Sequence, residues 1–169
     1  MFMEYNLSVM MNEIQEMHAE VKRLHDRGIR NQCGKIISKA EDKIHQAKTM
    51  VSVIKVRLID AAGNAVKTCK EKGKSALIRA VEAMRVSTAL SKIKSGFSHM
   101  SQSMRQSAGQ IDVIRGELHE VGRHMKNAGR ALLGRSAKQA GNLEADKGML
   151  AKLRDFLESC GDTFSKMER

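Results

Sequence analysis

His119 and His124 enclose the run Glu-Val-Gly-Arg, which at first sight resembles the helical zinc motif of metalloproteases. That motif needs its two histidines four residues apart, on one helix face. A spacing of five turns the second imidazole about 140° away from the first, so the pair reads as two solvated side chains. Gly73-Lys74-Ser75 ends like a phosphate-binding loop. The loop also requires a glycine five residues earlier, where this chain has Thr68, and a strand leading into it. Three cysteines, Cys33, Cys69 and Cys160, are too few and too far apart for a disulfide framework or a zinc knuckle. Cys69 lies among Lys67, Lys70 and Lys72, but no histidine is placed to make it a nucleophile. The carboxylates are dispersed along helix surfaces. No catalytic, cofactor or metal site is expected, and the chain does not read as an enzyme.

Basic stripes remain as the strongest chemical signal. Lys67, Lys70 and Lys74 recur at i, i+3 and i+7, and so do Arg123, Lys126 and Arg130, with Arg135 and Lys138 extending the second group. Each spacing lines up three cations on one side of a helix, away from the apolar seam. Such an array suits a phosphate backbone, where counterion release gives affinity without sequence readout, or an acidic protein face. Neither stripe carries the aromatics that would stack unpaired bases, and no helix-turn-helix, zinc finger or basic zipper is present.

Long helices must position these cations. A seven-residue apolar beat runs from Leu90 through Ile93, Phe97, Met100, Met104, Ser107, Ile111, Ile114, Leu118, Val121, Met125 and Ala128 to Leu132, with Ser107 its one polar member. A helix carrying it is on the order of 65 Å long, well beyond the usual globular helix. The chain has no proline to interrupt such a helix. Leu7, Met10, Ile14, Met17, Val21 and Leu24 define a first helix by the same three-four steps, and Ile37, Ala40, Ile44, Ala47, Val51, Ile54, Leu58 and Ala61 a second. Between them, residues 26–34 contain two glycines and an asparagine, which predict a break there. Gly63-Asn64 predicts a further stop, followed by a short segment that Gly73 ends. Leu77, Ala80, Val81 and Met84 form another stripe. Gly134-Arg135-Ser136 closes the long helix, and residues 138–147 read as a linker. A last helix carries Leu150, Leu153, Leu157, Cys160, Phe164 and Met167, with Gly161-Asp162 expected to fray it.

The expected fold is therefore all-α: an elongated antiparallel helical bundle of coiled-coil hairpins with one very long helix. Residues 1–137 form the long-helix part, and residues 138–169 a linker and C-terminal helix packed on it, a single domain overall. A reversal near residue 31 would set Glu20 against Lys43. Seams this narrow are stable only when paired within the chain or across chains, so a homo-oligomer is one expected outcome.

Charge is unevenly spread over the 169 residues, whose net charge is +11. Residues 1–21 hold four carboxylates and no Lys or Arg, residues 22–141 hold 25 basic against 9 acidic side chains, and residues 142–169 are nearly balanced. A basic middle calls for an anionic partner, and the acidic first helix suits the basic second one as an intramolecular partner. With one tyrosine, four phenylalanines and twelve methionines, the core rests on aliphatic side chains and methionine, which fills gaps without imposing one packing. No secretory signal or membrane span is visible, and three free thiols suit a reducing cytoplasm.

Two stretches, Ala65-Val-Lys-Thr-Cys-Lys-Glu-Lys-Gly-Lys-Ser-Ala-Leu77 and His124-Met-Lys-Asn-Ala-Gly-Arg-Ala-Leu-Leu-Gly134, resemble an uncharacterised all-helical family carried on phages and conjugative elements of gut Firmicutes. The family brings no active site to transfer. What the resemblance implies is a setting of maintenance, transfer or blockade of host defence. In that setting the chain is expected to bind a nucleoprotein through its basic helix faces, for example as an inhibitor of a CRISPR-type nuclease. The alternatives are a structural coiled-coil or DNA-maintenance protein and, less suited to seams without interfacial tryptophan, an amphipathic protein on a membrane surface.

Overall fold

The computed structural model describes residues 2–24, 26–73, 86–132 and 148–168. They form four helices: α1 (Phe2–Lys22), α2 (Arg27–Lys72), α3 (Val86–Leu132) and α4 (Met149–Glu168). No strand occurs among the described residues. The protein is an all-α antiparallel bundle, as the periodicity predicts.

The order of packing follows from a few contacts. Glu4 of α1 meets Lys55 of α2 and His18 meets Glu41, so these helices run antiparallel. Met50 of α2 abuts Gly96 of α3, and the groove beyond them is lined by residues 53–64 of one and 88–93 of the other. Ser101, Arg105 and Asp112 of α3 reach Gly161, Asp162 and Arg154 of α4, again antiparallel. Contact between α1 and α4 closes the ring. This is an up-down-up-down arrangement, of which only the α1–α2 connection is short. Leu7, Ile14, Ile37, Ile44, Met104, Ile111, Leu153 and Leu157 fill the centre, with Phe97 and Phe164 stacked at a centroid distance of 6.2 Å.

The reversal between α1 and α2 comes earlier than the glycines suggest. Arg23 and Leu24 close the last turn of α1, and Asp26 caps α2 by accepting from the Ile29 amide at 3.0 Å. Gly28 and Gly34 lie inside α2. A helical glycine costs about 1 kcal/mol relative to alanine. Burying Cys33, Ile36 and Ile37 on one face outweighs that cost. The earlier reversal also sets the register. The two α1–α2 ion pairs bring Glu20 to the level of Lys39, four residues from the expected Lys43, and Lys43 donates to Gln46 instead.

Gly63-Asn64 does not stop α2 either. The helix runs on to Gly73, whose amide donates to the Cys69 carbonyl at 3.2 Å and whose φ of 77° then turns the chain out of the helix. Gly161 does not fray α4. It is buried against α3, where the Ser101 hydroxyl donates to its carbonyl at 2.7 Å. The stripe Leu77–Met84, the closing Gly134-Arg135-Ser136 and the linker 138–147 lie outside the described residues.

Helix lengths give the molecule its shape. The helices α1 and α4 hold 21 and 20 residues, whereas α2 and α3 hold 46 and 47. The N-terminus of α1 reaches the level of Lys55, so α2 continues past it for about 25 Å. The Asp112–Arg154 contact puts the first turn of α4 near the level of residue 117. Beyond that level α3 continues for about 22 Å. The long seam of α3 is therefore buried only in its middle. Phe97, Met100, Met104, Ser107, Ile111 and Ile114 are buried, while Leu90, Leu118, Val121 and Leu132 are exposed.

Candidate partner-binding faces

The protruding end of α3 is two-sided. Leu118, Val121, Met125 and Leu132 continue the bundle seam, with Met125 at 72% and Leu132 at 89% exposure. On a 3.6-residue helix Arg123 and Arg130 point about 160° and 140° from Met125, and Lys126 about 100°. Cations and apolar side chains thus occupy opposite sides of one rod. Arg123 is ion-paired with Glu120 at short range, and His124 Nε2 lies 3.7 Å from the same carboxylate. Lys126 is exposed and Arg130 half-buried. Arg135 and Lys138 lie outside the described residues. The structure thus keeps Arg123, Lys126 and Arg130 along one side, with Glu120 tempering the field at one end.

The protruding end of α2 carries the other stripe. Lys67 and Lys70 are exposed on it, and Lys74 lies outside the described residues. This helix also has a feature that sequence reading divided at Gly63 and so missed. Ile59, Ala62, Val66 and Cys69 follow Lys55 in steps of four, three, four and three, all within about 40° of it round the helix. Lys55 faces α1, through its 2.9 Å bond to Glu4. The face that α1 covers therefore continues past the end of α1. There Ile59 is 62% and Val66 56% exposed. Spacing alone was enough to find these residues, had α2 been read as one helix.

Between the outer part of α2 and the first turns of α3 runs an open groove of about 760 Å³. Met50, Val53, Ile54, Leu58, Leu90 and Ile93 make its wall apolar, with Arg57, Asp60 and Lys92 among its polar lining.

Burial pushes the Cys33 thiol up, and burial assisted by the Glu13 carboxylate pushes Cys160 up further, so both are held as neutral thiols. Cys69 is exposed. Arg154 is fixed by hydrogen bonds to Asp112 and Asp155, which with Glu158 hold its guanidinium charged and tie α4 to α3. Hydrogen bonding to Lys55, and the charge of that lysine, keep Glu4 below the ordinary glutamate range. Among the described residues no three His, Cys, Asp or Glu side chains converge as metal ligands. His119 is half-buried and His124 exposed, and they remain separate side chains. No helix in the described residues is long and apolar enough to cross a membrane.

A family model described as "Family of unknown function (DUF6674)" matches residues 2–169. No curated protein and no solved structure matches the chain.

Proposed function

The chain belongs to that family over essentially its whole length, and we propose that it is a non-enzymatic binding protein that grips an anionic macromolecular partner with its two protruding helix ends. One observation carries this reading: the two long helices outrun their bundle partners, and each free end presents apolar side chains together with a row of cations. The four-helix body holds these ends apart and supplies the rigidity they need. The partner we favour is a nucleoprotein. The specific case of a CRISPR-type defence nuclease, inhibited by a protein from a mobile element, rests on the sequence resemblance alone.

Binding of labelled nucleic acid and of nucleoprotein, each at two salt concentrations, tests the proposal. Affinity should fall steeply with salt, and each phosphate contact removed should lower the log–log slope by about 1. R123E/K126E/R130E and K67E/K70E are the informative variants. Binding that ignores salt, or that both variants retain in full, overturns the reading.

A second reading has its own observation. The exposed seam from Leu118 to Leu132 keeps the phase of the buried one and so suits a coiled-coil assembly, with charge serving partner choice. Light scattering separates the two, because an assembly subunit shows a fixed oligomer indifferent to nucleic acid.

A further inference from the structure

We infer that the outer half of α2, from Ile59 to Lys70, is a docking face for an acidic amphipathic helix of a partner protein, seated end to end with α1 on one continuous face. The inference rests on the anionic-partner reading above and names the partner's chemistry at one of the two ends.

The resident α1 supplies the argument, because it already shows what this face binds. It lies antiparallel on α2, with Leu7, Ile14 and Val21 in the same buried cluster as Ile37, Ile44 and Val51. Residues 1–21 carry four glutamates and no Lys or Arg, and near the start of α1 Glu4 forms an ion pair with Lys55 of α2. Past Lys55 the same ridge goes on through Ile59, Ala62, Val66 and Cys69, with Ile59 and Val66 more than half exposed. Lys70 lies about 60° and Lys67 about 120° round the helix from Lys55, so both line one flank of that ridge. A second helix of the α1 type would thus find apolar knobs in the same rhythm and cations along its edge. Another copy of this arm is a poorer fit, since it would set Lys67 and Lys70 against their own kind. A phosphate backbone would use the lysines and leave Ile59 and Val66 in water.

Cys69 gives the test a built-in reporter, because it sits on the ridge and is exposed while Cys33 and Cys160 are buried. The full chain is alkylated under native conditions with and without a synthetic peptide of residues 2–21, and in parallel with a short DNA duplex. The peptide should slow Cys69 alkylation saturably, by about fivefold at about four times its Kd. I59D/V66D should abolish this protection with an unchanged circular dichroism spectrum, since both side chains are exposed. The same variant rules out exchange of the peptide into the site of the resident α1. K67E/K70E should weaken peptide affinity by about fivefold at low salt, as two exposed ion pairs allow, while R123E/K126E/R130E leaves it unchanged.

Protection by the duplex and not by the peptide overturns the inference and leaves the anionic-partner reading standing. So does Cys69 alkylating in the free chain as slowly as Cys33 and Cys160, because the face is then already covered. Failure of the broader reading shows elsewhere, as binding of nucleic acid and nucleoprotein that neither salt nor charge reversal alters.

Discussion

Substituting alanine for Gly161 and, separately, for Gly109 asks whether close backbone approach holds α4 on α3. Both residues are helical, so each replacement gains about 1 kcal/mol of helix propensity. A Cβ at Gly109 meets nothing within 4 Å. A Cβ at Gly161 lies 3.3 Å from the Ser101 carbonyl oxygen and 3.1 Å from Arg105 Cγ. The arginine side chain is largely exposed and can turn away. Ser101 O cannot, because it is helix backbone, and the hydroxyl of the same residue holds Gly161 O at 2.7 Å. Separating the helices by a few tenths of an ångström is overpacking, which costs about 1–3 kcal/mol. Gly109→Ala should therefore stabilise by about 1 kcal/mol, and Gly161→Ala should be neutral to about 2 kcal/mol destabilising. Urea unfolding followed by circular dichroism reads the difference. With a slope of about 1–3 kcal/mol per molar, the two midpoints should stand roughly 1 M apart. If both variants shift upward together, the α3–α4 approach is looser than described and the reasoning fails.

Other expectations follow from single contacts. Phe97→Ala empties a buried ring site stacked on Phe164 and should cost about 3–5 kcal/mol, read as a fall in the urea midpoint. A double-mutant cycle with Phe164 should return a coupling of about 1 kcal/mol. Glu4 has a depressed value in the folded chain, so its contact with Lys55 stabilises fully above the ordinary glutamate value of 4.5 and is lost as pH falls through the lowered one. Carboxyl NMR titration should show this, and Lys55→Met should return Glu4 toward 4.5. Under native conditions alkylation should modify Cys69 alone, with Cys33 and Cys160 reacting only when denaturant opens the bundle, as mass spectrometry would show.

Much of the fold is legible in the residues. The three-four steps of Leu7–Val21, of Ile37–Val51 and of Leu150–Met167 place most of their members on the face that the structure buries, though Met11, Cys33, Ile36 and Phe156 join the core from beside those stripes. Glycine was the misleading signal. At Gly28, Gly34, Gly63 and Gly161 local propensity argues for a break, yet each lies within a helix. At most about 1 kcal/mol is lost at each, less than one buried aliphatic side chain returns. Gly73 is the contrasting case: α2 ends there, at a positive φ that glycine adopts without strain. The cationic stripes were equally visible, since helical spacing alone aligns Lys67 with Lys70 and Arg123 with Lys126 and Arg130.

The chain alone determined helix type, the buried periodicity and the cations beside it, because all of these follow from 3.6 residues per turn acting on side-chain polarity. Only the tertiary structure decided which stretches of each seam meet a partner. The chemistry of Leu118, Val121 and Met125 is that of Met100, Met104 and Ile111, yet the first set is exposed and the second buried. Helix pairing sets that difference: α1 and α4 are less than half as long as α2 and α3, and a seam is covered only where a neighbour is present to cover it.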